Sequence, residues 1–303
     1  MKTIPGITFS HPHLSRLGLD PDQALQTALE FNFSYIRLGS YWNELEPKPG
    51  QYNFDCLFNL LERCQAAAQP VVLTVGVKAP RWPEFYWPDR LSAKSTANQT
   101  TQQQILEFTK QVVSSCQRFS CITHWQVENE PLDPSGPNNL SIPLVFLKKQ
   151  IELVRQIDTR PVVINLWGND LLVRGLFNQV EPLADIIGLD LYPKQFLTQF
   201  FGKSFYRGPS QTAKQLKELL IKSSRPIWIT ELQAEPWEKD ETAYLSANPG
   251  SISPELVKKN FKWATQLPVE EIFLWGFEYW LWQAEQGNKD YLRVVKKLVG
   301  NKK

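Results

Sequence analysis

The order of elements along this chain of 303 residues predicts a single (β/α)8 TIM barrel spanning residues 1–303. Three observations lead there. Eight short, near-continuous apolar runs alternate with stretches of helical period almost to the C-terminus, as parallel strands covered on both faces should read. No linker-like stretch interrupts them, and no Gly-x-Gly-x-x-Gly turn follows the first strand, which argues against an open doubly wound sheet. The long connections 78–101, 192–210 and 232–253 all follow strands, on the carboxyl side where barrels build their sites. A composition of 42% hydrophobic and 21% charged residues supplies the large core such a fold needs.

In order, the first predicted strand is 6–10, Gly-Ile-Thr-Phe-Ser, and the second is 35–40, Tyr-Ile-Arg-Leu-Gly-Ser. Asp55 is expected to cap a helix with Leu57, Leu60, Leu61 and Cys64 on one face. Strand three is 71–77, followed by a helix over 102–118 that aligns Ile105, Phe108, Val112 and Val113. Strand four, 122–128, runs into Asn129-Glu130-Pro131; proline cannot donate to a ladder, so the strand ends there and leaves Asn129 and Glu130 at its rim. A helix over 143–157, a strand over 161–167, a looser helix near 170–180 and a strand over 186–191 come next. Helix 211–222 precedes strand seven, 226–231, which ends on Glu231; helix 255–266, strand 271–277 and helix 287–299 complete the count.

A formal net charge of +2 argues against a nucleic acid or an anionic membrane as partner. No run reaches transmembrane length and no apolar leader follows Met1, so the expected address is cytoplasmic. Cys56, Cys64, Cys116 and Cys121 form no Cys-x-x-Cys pair and are expected as buried thiols in a reducing compartment. His11-Pro12-His13 after strand one has the form that opens a divalent-metal site, but such a site needs histidines from later strands and none follows His124. Neither metal nor cofactor is expected. The oligomeric state has no signature in the sequence.

In a barrel, Glu130 and Glu231 would both project into one mouth. Two carboxylates on one sugar-sized cleft divide the labour of glycoside cleavage: one stays ionised and attacks, the other donates a proton to the leaving oxygen. Glu128, Glu235 and Glu278 compete for these roles, though strand alternation turns Glu128 away from Asn129 and Glu235 lies further out in a loop. Among the 11 tryptophans, Trp82, Trp87, Trp237 and Trp280 stand in rim segments suited to stacking on sugar faces.

With these residues in this order, the chain resembles the clan A glycoside hydrolases, retaining (β/α)8 enzymes with an Asn-Glu pair ending strand four and a second glutamate ending strand seven. The resemblance implies that Glu130 is the acid/base, Glu231 the nucleophile and Asn129 the partner of the sugar 2-hydroxyl. It implies further that Arg37 lies near the nucleophile, that Tyr192 bonds it, and that Trp280, or else Trp275, is the platform under the cleaved sugar. Residues 41–55, Tyr-Trp-Asn-Glu-Leu-Glu-Pro-Lys-Pro-Gly-Gln-Tyr-Asn-Phe-Asp, are similar to the strand-two loop of family 42 β-galactosidases and of family 10 and 39 enzymes. The histidine that many cellulase-like members carry near strand three, or between strands six and seven, has no counterpart, so family 5 cellulase activity is not expected. The implied substrate is an oligosaccharide or other β-glycoside; a glycan-binding barrel without catalysis is the alternative.

Overall fold

The computed structural model describes residues 3–91 and 95–300. Among these described residues ten strands occur in chain order: β1 (Gly6–Phe9), β2 (Ile36–Gly39), β3 (Val71–Val75), β4 (Ile122–Val127), β5 (Val162–Trp167), β6 (Ile186–Leu191), β7 (Gln195–Phe200), β8 (Lys203–Arg207), β9 (Ile227–Gln233) and β10 (Glu271–Trp275). Eight of them form a closed barrel in the order β1-β10-β9-β6-β5-β4-β3-β2, and β7 with β8 makes a separate two-stranded sheet. The predicted (β/α)8 class is the observed one.

The chain divides into two compact units, Met1–Tyr35 with Trp167–Gly175 and Gly188–Lys303, and Ile36–Leu166 with Leu176–Ile187. In the first, β1 runs parallel to β10 and β10 to β9. In the second, β2, β3, β4 and β5 pair parallel in sequence order, with Arg37 opposite Val72 and Thr74 opposite Gln126. The strands are short and β-branched, and nearly every position is buried, which is why they read as apolar runs without clean alternation.

Several helices start at a side-chain cap. Asp20 accepts from Asp22 N before Pro21–Glu30, Asn98 accepts from Thr101 N before Gln99–Cys116, and Thr212 forms a capping box with Gln215 before Ala213–Ile221. Asp55 differs from expectation: Phe54 occupies the N-cap position and Asp55 is the first residue of Asp55–Ala66, where its charge complements the helix dipole.

Other departures have equally local causes. The stretch 170–180 is two single-turn helices, Leu171–Arg174 and Phe177–Val180, because Gly175 adopts a left-handed conformation between them. The segment 192–210 is not a plain loop but the β7–β8 hairpin. Strand β9 continues two residues past Glu231. Strand β10 stops at Trp275, and Gly276 (φ 149°) turns the chain at once into the helix Phe277–Glu285; a Cβ there would lie 2.7 Å from Ala234 O. Cys64, Cys116 and Cys121 are buried as expected, with burial pushing the Cys64 and Cys116 thiols up to about 12, but Cys56 is exposed. No helix among the described residues is long and apolar enough to cross a membrane.

Candidate active site

In the unit built on β2 to β5, the rim of β4 is an organised polar cluster. Glu128 (φ 60°) and Glu130 (φ 42°) both sit in the left-handed region, which costs a non-glycine residue about 1 kcal/mol or more. Asn129 between them is held through its backbone N–H, which donates to Lys78 O at 2.7 Å. Its Oδ1 accepts from Asn165 Nδ2 at 2.9 Å, from Gln126 Nε2 at 3.3 Å and from Arg37 Nη1 at 3.5 Å. With Oδ1 so engaged, the amide Nδ2–H is the end available for recognition. The Glu130 N–H donates to Asn165 Oδ1 at 2.8 Å, so Asn165 fixes both members of the Asn-Glu pair.

Lys78, fully buried three residues past β3, donates from Nζ to Glu130 O at 2.7 Å and Asp133 O at 2.9 Å, and pairs with Glu84 at 3.4 Å. Arg37, also fully buried, donates to Gln126 Oε1 at 3.2 Å as well as to Asn129. Sequence reasoning passed over Lys78, Gln126 and Asn165. Polar side chains inside otherwise apolar strands, as Gln126 in β4 and Asn165 in β5 are, must find partners when buried, but the pattern does not say which; Lys78 lies beyond β3.

Glu128, taken from the sequence as facing away, is enclosed completely. It accepts from the Lys78 backbone N–H at 2.5 Å and from Gln150 Nε2 at 2.5 Å, and its carboxylate fills the space where a Cβ on Gly76 would stand. Burial pushes its carboxyl up to about 7, against the lowering effect of the Gln150 and Lys78 bonds. The folded chain therefore holds a proton that the unfolded chain releases from about pH 4.5 upward. Its contribution makes stability fall as pH rises through the window from 4.5 to about 7, by on the order of 3 kcal/mol in total. Glu128→Gln abolishes that titration, and its amide can donate to Gln150 Oε1, which lacks a partner. Melting temperatures of variant and wild type should thus shift in the variant's favour on going from pH 5 to pH 8; a pH-independent difference would refute the assignment.

In the other unit, Glu231 is buried within β9, and Tyr192, immediately after β6, donates its hydroxyl to Glu231 Oε2 at 2.5 Å. Asn169 clasps the Tyr192 backbone from both sides, accepting from its N–H at 3.0 Å and donating to its carbonyl at 2.8 Å. Trp167 stacks on the Tyr192 ring at 5.3 Å and 20°, and Trp237 meets that ring edge-on at 4.9 Å. Trp237 is 40% exposed, so the cluster carries one open aromatic face. Trp167, the last residue of β5, is the member that sequence reasoning did not select.

The remaining expectations fare unevenly. Trp280 is not a rim platform: it lies in Phe277–Glu285, fully buried, with Nε1 donating to Ala234 O at 2.7 Å. The fallback Trp275 is buried as well. Trp82 is exposed in the loop after β3, whereas Trp87 lines a cavity of about 380 Å³ with Asn43, Phe85 and Asp89. Glu278 accepts from Ser10 N at 2.6 Å, and Glu235 from Tyr244 OH at 3.2 Å. His13 Nε2 lies 3.3 Å from the same Tyr244 hydroxyl, and no group of three or more potential metal ligands occurs among the described residues.

Comparison with known proteins bears out the resemblance to clan A. The family 42 glycoside hydrolase model, described as beta-galactosidase, matches residues 21–134, a span that includes Asn129 and Glu130 and excludes Glu231. The β-galactosidase of the psychrophile Marinomonas ef1 is 15% identical with a TM-score of 0.62; the alignment covers 90% of this chain and 54% of that one. Xylanase 10B of Thermotoga petrophila is also 15% identical with a TM-score of 0.62, over 98% of this chain and 94% of that one. GH5_18 of Streptomyces cattleya is 12% identical with a TM-score of 0.65, over 100% and 82%. At these identities the likeness is one of fold, and the chain spans about half the length of the β-galactosidases it matches. A search of curated protein sequences finds no match.

Proposed function

We propose that the chain acts as one catalytic domain that hydrolyses β-linked glycosides with retention of anomeric configuration. Glu231 attacks the anomeric carbon while Glu130 protonates the departing glycosidic oxygen, so the C–O bond to the leaving group breaks as the ester to Glu231 forms. Water then displaces the ester, with Glu130 taking its proton. Asn129 donates from Nδ2 to the sugar 2-hydroxyl, Arg37 holds Asn129 in place, and Tyr192 orients the nucleophile. Trp237 and Trp82 offer their exposed faces to sugar rings.

The observation that carries this reading is the Tyr192–Glu231 bond. A buried carboxylate two residues before the carboxyl end of β9, aimed by a tyrosine that two tryptophans and an asparagine lock in place, has no need of that support as a mere structural residue. The comparable support around Glu130 is the Asn129–Asn165–Lys78 cluster. Sugars present apolar ring faces edged with hydroxyls, which suits the aromatic set beside Glu231.

Screening nitrophenyl β-glycosides, and following the first product by proton NMR, tests the proposal. Release of the β-anomer before mutarotation supports it. The α-anomer as first product contradicts it, and calorimetric oligosaccharide binding without turnover of any glycoside favours the non-catalytic barrel.

A further inference from the structure

Four of the nine exposed large apolar side chains among the described residues, Leu197, Phe200, Phe201 and Phe205, belong to the β7–β8 hairpin. Phe200 pairs with Lys203, so Phe201-Gly202 is a two-residue turn with φ of 45° and 74°. Asparagine, aspartate or glycine fills such positions at little cost. A phenylalanine there, 90% exposed, accepts both a strained backbone and a hydrated ring, and packs only edge-on against Phe200 at 4.3 Å. No other described strand joins this sheet.

The hairpin is nevertheless firmly rooted. Phe196 N donates to Trp237 O at 3.0 Å, Tyr206 OH donates to Glu238 at 2.9 Å, and Lys194 Nζ donates to Gly250 O at 2.7 Å while lying over the Tyr206 ring. Its charge is one-sided: from Lys194 to Arg207 it carries Lys194, Lys203 and Arg207 and no acidic residue. Of the acids at its base, Glu238 accepts from Tyr206 and Ser251, and Asp240 pairs with Lys239 and accepts from Ala243 N.

We infer that this hairpin docks the protein on an anionic lipid surface, with Phe200 and Phe201 entering the acyl boundary and Lys203 and Arg207 at headgroup level. Such a contact needs no spanning segment, and combines apolar insertion with cationic attraction. It sets aside the expectation, drawn from net charge alone, that no membrane is involved. A second copy of the chain fits less well. The four side chains together expose on the order of 500 Å², short of the roughly 800 Å² each partner contributes to a stable dimer. Self-pairing would also bring cationic hairpins together.

Co-sedimentation of the full chain with phosphatidylcholine vesicles, with and without phosphatidylglycerol, tests this. Binding is expected only to the phosphatidylglycerol-containing vesicles, weakened by salt, and reduced about tenfold or more by the double change Phe200→Ser and Phe201→Ser. Lys203→Glu with Arg207→Glu should weaken it too. Turnover of soluble aryl glycosides should be unaffected in both variants, which separates this inference from the proposed activity. Absence of binding, binding unchanged by the serine variant, or a concentration-dependent dimer that the serine variant dissolves would each overturn it.

Discussion

Glu231→Gln is expected to lower kcat on an activated aryl β-glycoside by on the order of 10⁴-fold, because it removes the attacking oxygen's charge while keeping its shape. The amide oxygen introduced by this change can still accept from Tyr192, so the fold should be retained, and circular dichroism should match the wild type. The companion change Glu130→Ala should behave differently. A nitrophenolate leaves without protonation, so the first step is spared and the ester accumulates; azide should then restore turnover and give the β-glycosyl azide. With Glu231→Ala, azide should instead attack the free substrate and give the α-glycosyl azide. Near-normal turnover by Glu231→Gln, or the same azide anomer from both variants, would end the assignment of roles.

Lys78→Met should be the most destabilising change at the β4 rim. Methionine fills much the same volume, but it strips the donor from Glu130 O and Asp133 O and the cation from Glu84. Removing this fully buried ammonium strands two buried carbonyls, while Glu84, 22% exposed, can still reach water; the cost is about 3 kcal/mol, equivalent to a fall of roughly 5 °C in melting temperature for a chain of this size. Lys214→Met is the control: its pairing with Glu218 at 3.8 Å is exposed, and losing it should cost less than about 0.5 kcal/mol. Scanning calorimetry of the two variants decides the matter. Equal melting temperatures would mean that the Lys78 ammonium does not hold the Glu130 carbonyl. If it does, kcat should also fall in Lys78→Met with less change in KM.

What was legible in the sequence follows from which signals are local. Strand β6 and the helix Leu144–Ile157 lie within a residue of expectation because apolar period and a following breaker mark them directly. The Asn129-Glu130 rim was legible because Pro131 closes β4. The placement of Trp280 was not, because its fate depends on Gly276 turning β10 straight into a helix, and a single glycine after an apolar run reads equally well as loop. Asn165 and Lys78 were hidden for a different reason: what each does is set by a partner about 35 to 50 positions away, which no local pattern encodes. The β7–β8 hairpin was missed because its turn carries Phe201 where turn chemistry leads one to look for asparagine or glycine.

In the proposed reaction Glu231 carries the sugar as an ester midway through. Incubating the enzyme with 2-deoxy-2-fluoro glycosides bearing a good leaving group slows both steps and preserves any such ester for peptide mass spectrometry. One sugar per chain is expected, on the peptide containing Glu231, and none after Glu231→Gln. A label on Glu130 or on any other carboxylate, or product of inverted configuration with no ester formed, would contradict it.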